Sequence, residues 1–336
     1  MARVEVDTQV DGAVLIRWEL EGAPVAVDVA TGPTPAAIDH AHVATVPADQ
    51  TSLLVAGNAG DAGNGTGRLF VSVAPHGAGP ALVAADRRVP FTGIQNFRDL
   101  GGYRTTAGGA VRWGMVFRAD ALHGLGADDL ALYGRLGVRT VYDLRRDIER
   151  EHLPNPMPSR SLVILSEPGD GPSVATATAA ERRTAEDGER VLLEIYVGLL
   201  EHSAAALGEL FAGLAAPDGL PAVFHCHAGK DRTGMAAALL LEALGVERDV
   251  VLDDYELTAR YRRREHQGAT FEHFVEAGMT PEAAAGVLSA PRWAMQEALA
   301  DVDRRFGGVE AYLTGPAGLT PDDLGTLRDR LVDPTP

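Results

Sequence analysis

The run Pro221-Ala222-Val223-Phe224-His225-Cys226-His227-Ala228-Gly229-Lys230-Asp231-Arg232-Thr233-Gly234, followed at once by Met235-Ala236-Ala237-Ala238-Leu239-Leu240-Leu241, constrains this chain more than any other stretch. A short apolar segment ending in cysteine reads as a buried strand, the polar residues after it as a tight loop, and the next apolar run as a helix. That order puts reactive side chains at the carboxyl end of a strand, the edge at which open α/β sheets bind ligands. Cys226 is the only cysteine and Lys230 the only lysine among 336 residues, and both fall inside this loop.

A loop curling from a strand into a helix aims successive backbone N–H groups at one point, and the helix dipole adds positive potential there. An anion with several oxygens suits that cradle, and the same field favours a thiolate at Cys226. Arg232 can return to the loop mouth and grip two oxygens with its planar fork. Thr233 can donate its hydroxyl proton to the thiolate. Cysteine, five residues, arginine, threonine is the spacing of cysteine-dependent phosphatases. The expected reaction is attack of Cys226 on phosphorus to give a phosphocysteine intermediate, with Arg232 as catalytic partner. The phosphate-binding positions are His227, Ala228, Gly229, Lys230, Asp231, Arg232 and Thr233. Lys230, a compact ammonium, is expected to meet a second anionic group on the substrate.

Other readings of the loop fail on its residues. A structural thiol leaves Gly229, Arg232 and Thr233 at these offsets unexplained. The triplet His225-Cys226-His227 does not make a metal site, because neighbours on a strand point to opposite faces. A nucleotide loop needs Ser or Thr after Gly-Lys, where this chain has Asp231. Neither metal nor cofactor is expected.

The loop resembles that of bacterial protein-tyrosine phosphatases related to the mycobacterial secreted type. Further stretches match in order: Asn96-Phe97-Arg98-Asp99-Leu100-Gly101-Gly102, Val116-Phe117-Arg118-Ala119-Asp120, Tyr142-Asp143-Leu144-Arg145 with Glu149-Arg150-Glu151, and Asp253-Asp254-Tyr255. The resemblance covers residues 90 to 334. It implies a phosphorylated protein as substrate, with phosphotyrosine, phosphoserine, phosphothreonine and phosphoinositides as accepted groups. Cleavage also needs a proton for the leaving oxygen. The resemblance puts a candidate acid at Asp170, beyond the apolar run Leu162-Leu165, and Asp231 inside the loop is the other candidate. Asp120 and Asp143 read as caps or arginine partners. Arg98 with Asp99, and Asp254, read as buried braces. A phosphoinositide phosphatase is the alternative enzyme, and an inactive phosphate-binding module the alternative of another class. Intact Cys226 and Arg232 weigh against the latter.

The length suggests two domains. Residues 1–88 carry short alternating apolar runs at Ala13-Trp18, Val25-Val29, Ser52-Val55 and Leu69-Val73, separated by turn residues, as in a small all-β sandwich of the fibronectin-III or immunoglobulin type. The glycine-rich stretch Gly57–Gly67 reads as a hairpin loop rather than a calcium or nucleotide site. From residue 89 to 336 strand and helix patterns alternate, so the expected fold class is α/β, a protein-tyrosine-phosphatase-like domain with a largely parallel central sheet flanked by helices. Residues 166–189, leaving the same sheet edge as the Cys226 loop, read either as a lid or as a disordered insertion.

A net charge of −17 excludes nucleic acid and anionic membrane as bulk partners and requires the phosphate site to be a local basic island. No segment has the length and apolarity of a signal peptide or membrane span. A single cysteine fits a reducing cytoplasm, and arginine in place of lysine with abundant alanine fits a bacterial source.

Overall fold

The computed structural model describes residues 3–9, 12–56, 68–77, 79–165, 182–262 and 268–334. The stretch Gly57–Gly67, Asp170 and most of the 166–189 segment lie outside the described residues. The chain divides into two compact units, Met1–Thr92 with Gly126–Gly137, and Gly93–Leu125 with Val138–Pro336.

Among the described residues of the first unit seven strands, β1 (Arg3–Thr8), β2 (Val14–Glu19), β3 (Val27–Gly32), β4 (Ala44–Val46), β5 (Ser52–Val55), β6 (Phe70–Pro75) and β7 (Leu82–Ala85), form two antiparallel sheets. Their orders are β1-β2-β5 and β4-β3-β6-β7. Period-two patterning drives this. On β2, Val14, Ile16 and Trp18 are buried while Arg17 and Glu19 face out. They share one core with Val6 and with Val27, Val29, Val46, Val71 and Val73 of the other sheet. Helix α1 (Ala127–Arg135) belongs to this unit. Its Asp129 accepts the Thr92 N–H at 2.9 Å and the Thr92 hydroxyl at 3.0 Å.

The second unit is α/β. Strands β8 (Arg98–Asp99), β10 (Val116–Ala119), β11 (Thr140–Asp143), β12 (Arg160–Ser161) and β13 (Ala222–His225) form a sheet in the order β12-β11-β13-β10-β8, while β9 (Ala110–Val111) pairs with β14 (Val332–Asp333). Strand β13 is central and parallel to both neighbours, and β8 alone runs antiparallel. A strand covered on both faces must be apolar throughout, and Ala222, Val223 and Phe224 are buried. In register, His225 sits opposite Ala119 and Asp143. Asp120, Leu144 and Cys226 therefore leave the sheet along one edge.

Helices α2 (Asp147–His152), α3 (Ala185–His202), α4 (Ala204–Ala215), α5 (Asp231–Ala243), α6 (Arg248–Tyr261), α7 (Gly268–Glu276), α8 (Pro281–Leu288), α9 (Arg292–Phe306), α10 (Val309–Thr314) and α11 (Pro321–Leu331) complete the unit. From Thr233 to Ala243, α5 is buried on every side except at Glu242, as a helix apolar all round must be. The apolar pattern from Arg190 to Leu214 predicts one helix, but the chain breaks it at Ser203. The Ser203 hydroxyl donates to the Leu165 carbonyl at 2.8 Å and accepts the Leu165 N–H at 2.7 Å, so the break ties the helix pair to the end of the sheet. Leu162-Leu165, expected as a strand, continues the β11 ladder only through Leu162 N–H to Asp143 and Ile164 N–H to Leu144. Thr280 and Thr320 cap α8 and α11 ahead of Pro281 and Pro321, as their spacing predicts.

Helix α8 seats on α3 at backbone contact. A Cβ on Gly188 would lie 2.1 Å from the Ala283 carbonyl oxygen, and one on Gly286 2.2 Å from that of Ala185. That seat fixes where the carboxyl end of α8 lies. Among the described residues no single helix is long and apolar enough to cross a membrane.

Candidate active site

Five consecutive carbonyls of the Cys226 loop are tied to the surrounding scaffold. His225 Nδ1 lies 3.0 Å from the Cys226 carbonyl oxygen. Ala121 N–H donates to His227 at 3.0 Å. Asn96 Nδ2 donates to Ala228 at 3.2 Å and to Gly229 at 3.0 Å, and Arg118 Nη2 adds a bond to Gly229 at 2.8 Å. Gly234 N–H closes on Lys230 at 2.7 Å. In a trans peptide the N–H points opposite to the carbonyl, so anchoring these five carbonyls turns the next five N–H groups the other way. The N–H groups of His227 to Thr233 donate to no other group among the described residues. They form a nest at the start of α5, the arrangement that binds oxyanions.

The donors are themselves held by a buried hub. Asp254 on α6 takes Arg98 Nε at 3.0 Å, Arg118 Nη1 at 2.6 Å and the Tyr103 hydroxyl at 2.9 Å, all within the protein interior. Arg98 also donates to Asn96 Oδ1, which turns the Asn96 amide nitrogen toward the loop. Burial, with Arg98 close by, lowers the Arg118 pKa to about 10 against the pull of Asp254. Removing one member of such a buried charge group costs about 3–5 kcal/mol, because the rest is left uncompensated. Arg98 is thus a brace, but its carboxylate is Asp254 and not the adjacent Asp99. Asp99 instead accepts the N–H groups of Gly101 and Gly114, both at 2.8 Å. Asp120 caps the Gln95 and Asn96 N–H groups at 3.0 Å, and Asp143 pairs with Arg145 at 2.7 Å.

Gly229 is required by both conformation and space. Its φ is +65°, and a Cβ there would meet the Ala119 carbonyl carbon at 2.6 Å. The loop lies directly against the end of β10.

Cys226 is 2 % exposed at the base of this nest. The Thr233 hydroxyl is buried and makes no hydrogen bond among the described residues, so the donation to Cys226 expected from spacing is not formed here. Arg232 is held by Glu149 of α2 in a two-pronged pair, Nη1 to Oε2 at 2.6 Å and Nη2 to Oε1 at 2.8 Å. Burial pushes the Glu149 carboxyl up, but Arg232 and the Arg146 N–H outweigh it and hold the pKa at about 2. The same pair raises the Arg232 pKa despite its burial.

Lys230 requires a correction. Lys230 lines the same cavity as Cys226, but its ammonium is engaged by main-chain oxygens and is not held free for a second anion. It donates to the carbonyls of Val287 and Ser289 at 2.7 Å each, at the carboxyl end of α8, and lies 3.2 Å from Asp231 Oδ1. Helix-end carbonyls carry partial negative charge and no intrahelical partners, so a buried cation is drawn there. Burial lowers the Lys230 pKa, with Asp231 opposing. Asp231 opens α5 and accepts the Tyr196 hydroxyl at 2.9 Å, and Tyr196 in turn meets the Tyr255 hydroxyl at 2.6 Å.

Cys226, Arg232 and Asp231 line one cavity of about 640 Å³. The rest of the lining is mixed, with apolar Ile164, Leu192, Ile195 and Phe274 beside basic Arg146 and Arg262. Residues 89–333 match the model of the family described as "Tyrosine phosphatase family". The chain belongs to that family.

Two relatives span most of this phosphatase. A Cupriavidus necator protein assigned by name to the tyrosine-protein phosphatases is 29 % identical over 246 residues, covering 72 % of this chain and 88 % of its own. The triple specificity protein phosphatase PtpB of Mycobacterium tuberculosis is 30 % identical over 283 residues, covering 74 % and 99 %. A tyrosine-protein phosphatase of Nostoc commune is 32 % identical over 148 residues, covering 41 % of this chain and 48 % of its own.

Reasoning from the phosphatase sequence missed four members of the site. Glu149 stood in a matching stretch without a role, Asn96 and Arg118 likewise, and Asn155 carried no signal at all. Each reaches the loop from a distant segment, so no local spacing announces it.

Proposed function

We propose that this tyrosine phosphatase family member hydrolyses phosphate monoesters, phosphotyrosine foremost, with Cys226 as nucleophile. The observation that carries this reading is the anchoring of the five carbonyls from Cys226 to Lys230, which leaves a ring of N–H donors around the cysteine. The phosphoryl group sits in that nest, and Arg232 takes two of its equatorial oxygens while Glu149 keeps the guanidinium aligned. The Cys226 sulfur forms a bond to phosphorus as the bond to the ester oxygen breaks. Asp231 lines the same cavity and is the acid we assign to the leaving oxygen. Water then attacks the phosphocysteine, releasing phosphate and regenerating the thiolate. The unpaired Thr233 hydroxyl is a donor available to that thiolate.

The apolar part of the lining suits an aromatic leaving group, and of the two residues behind the phosphoinositide reading, Lys230 and His227, the first is engaged by the carbonyls at the end of α8. For the first 88 residues we propose a fibronectin-III-like module, supported by seven antiparallel strands divided three and four. The test of the nucleophile is Cys226→Ser assayed with an aryl phosphate. Turnover should vanish while inorganic phosphate still binds, because the N–H nest survives. A serine variant within about tenfold of the parent, a barrier difference of only ~1.4 kcal/mol, refutes the assignment.

A further inference from the structure

Behind the loop lies a chain of polar groups that the reaction as described does not use. Asp143 at the end of β11 accepts Arg145 Nε at 2.9 Å and Arg145 Nη2 at 2.7 Å. Asn155 bridges both partners, since its Oδ1 accepts Arg145 Nη2 at 3.1 Å and its Nδ2 donates to Asp143 Oδ2 at 2.9 Å. The opposite amide orientation would set the Asn155 oxygen against a carboxylate and its NH₂ against a guanidinium, so chemistry selects this one. Asn155 Nδ2 also lies 3.0 Å from His225 Nε2. An amide nitrogen can only donate, so His225 Nε2 must be the acceptor and carry no proton. The proton of a neutral ring is then on Nδ1, which donates to the Cys226 carbonyl at 3.0 Å.

We propose that Asn155 is a positioning residue: its carboxamide holds His225 in the neutral Nδ1–H form, and His225 thereby fixes the Cys226–His227 peptide so that the His227 N–H faces the phosphate. The groups facing His225 are Asp143 and Arg145 from the β11 end and Arg232 from α5. Asp143 favours the protonated ring and the two arginines oppose it. Burial dominates and carries the His225 pKa down to about 4, so the ring is neutral through the working range. For its catalytic consequence the inference rests on the phosphatase reading. The tautomer itself does not.

The experiment has two arms. In the full-length ¹⁵N-labelled protein, long-range ¹H–¹⁵N spectra read the His225 ring directly, assigned by the signal lost in His225→Asn. A protonated Nδ1 with a bare Nε2 across neutral pH is expected, and an Nε2–H ring or an imidazolium overturns the proposal whether or not the chain turns over phosphate esters. In the second arm, Asn155→Leu should lower kcat by about 10- to 100-fold, the scale on which one misaligned donor acts, and weaken competitive inhibition by inorganic phosphate. Asn155→Asp should be active only where His225 is doubly protonated, so that activity is lost as pH rises through the His225 pKa and recovers on acidification. A pH profile for Asn155→Asp parallel to the parent's, or unchanged kcat and phosphate inhibition in Asn155→Leu, refutes the positioning role. The tautomer is read in the parent protein, with His225→Asn used only to assign the signal, so it is decided even where Asn155→Leu or Asn155→Asp weakens the fold.

Discussion

Replacing Lys230 with methionine removes an ammonium only 3 % exposed that donates to two carbonyl oxygens and faces one carboxylate. Hydrogen bonds involving a charged group contribute about 1.5–3 kcal/mol each. Against that stands the desolvation of the ammonium, which the lowered pKa records and which methionine relieves. The carbonyls of Val287 and Ser289 are left without their donor, so we expect a net loss of about 2–4 kcal/mol, below the ~3–5 of a fully uncompensated buried charge. For a unit of this size that corresponds to a fall in Tm of about 5–15 °C. The linkage has a definite sign. Because the folded-state pKa lies below the unfolded one, the unfolded chain binds more protons between the two values, and the parent gains stability as pH rises through that window. Lys230→Met should flatten this alkaline rise. Since the residue braces the loop instead of touching a distal substrate group, activity on an aryl phosphate and on a polyphosphorylated inositol lipid should fall by the same factor. Thermal melts from neutral to alkaline pH and paired kcat/KM values are the assay. An unchanged Tm with selective loss on the polyanionic lipid would show that the ammonium leaves α8 to meet substrate, and the bracing account would be wrong.

Two further substitutions probe the loop. Glu149→Gln should cut kcat by about tenfold or more by leaving Arg232 without its two-pronged guide. It should also flatten acid unfolding: the parent pKa falls from 4.5 to about 2, so about 3 kcal/mol of stability is present above pH 4.5 and lost on acidification toward pH 2. Unaltered acid melts in the glutamine variant would argue that the ion pair is not formed in solution. Gly229→Ala forces a side chain into the end of β10 at a positive φ, and should abolish phosphate binding while the sheet survives. Titration with inorganic phosphate, monitored beside far-UV circular dichroism, reads both, and normal phosphate affinity would refute the close approach.

The parts of this protein legible in its residues are those whose physics is local. The run from Pro221 to Leu241 specifies strand, loop and helix through hydrophobic period alone. The intervals among Cys226, Gly229, Arg232 and Thr233 specify an oxyanion cradle because a strand-to-helix turn leaves its N–H groups unpaired whatever surrounds it. Alternation on β2 and the cap residues Thr280 and Thr320 were readable for the same reason. What holds the cradle open was not. Its carbonyls are anchored by Asn96 and Arg118, more than a hundred positions upstream, and those two depend on Asp254 on the far side of the loop helix. Glu149 and Asn155 likewise reach Arg232 and His225 across about seventy to eighty positions. Lys230 shows the limit most clearly. Its place in the loop suggested a cation for substrate, yet an ammonium goes to whatever oxygens the fold brings near it. Here the glycine seat of α8 on α3 brings two helix-end carbonyls to it. Local spacing decides which groups are available for chemistry, whereas tertiary packing decides which are already engaged, because a buried polar atom must find a partner and only the folded chain determines which partner is within reach.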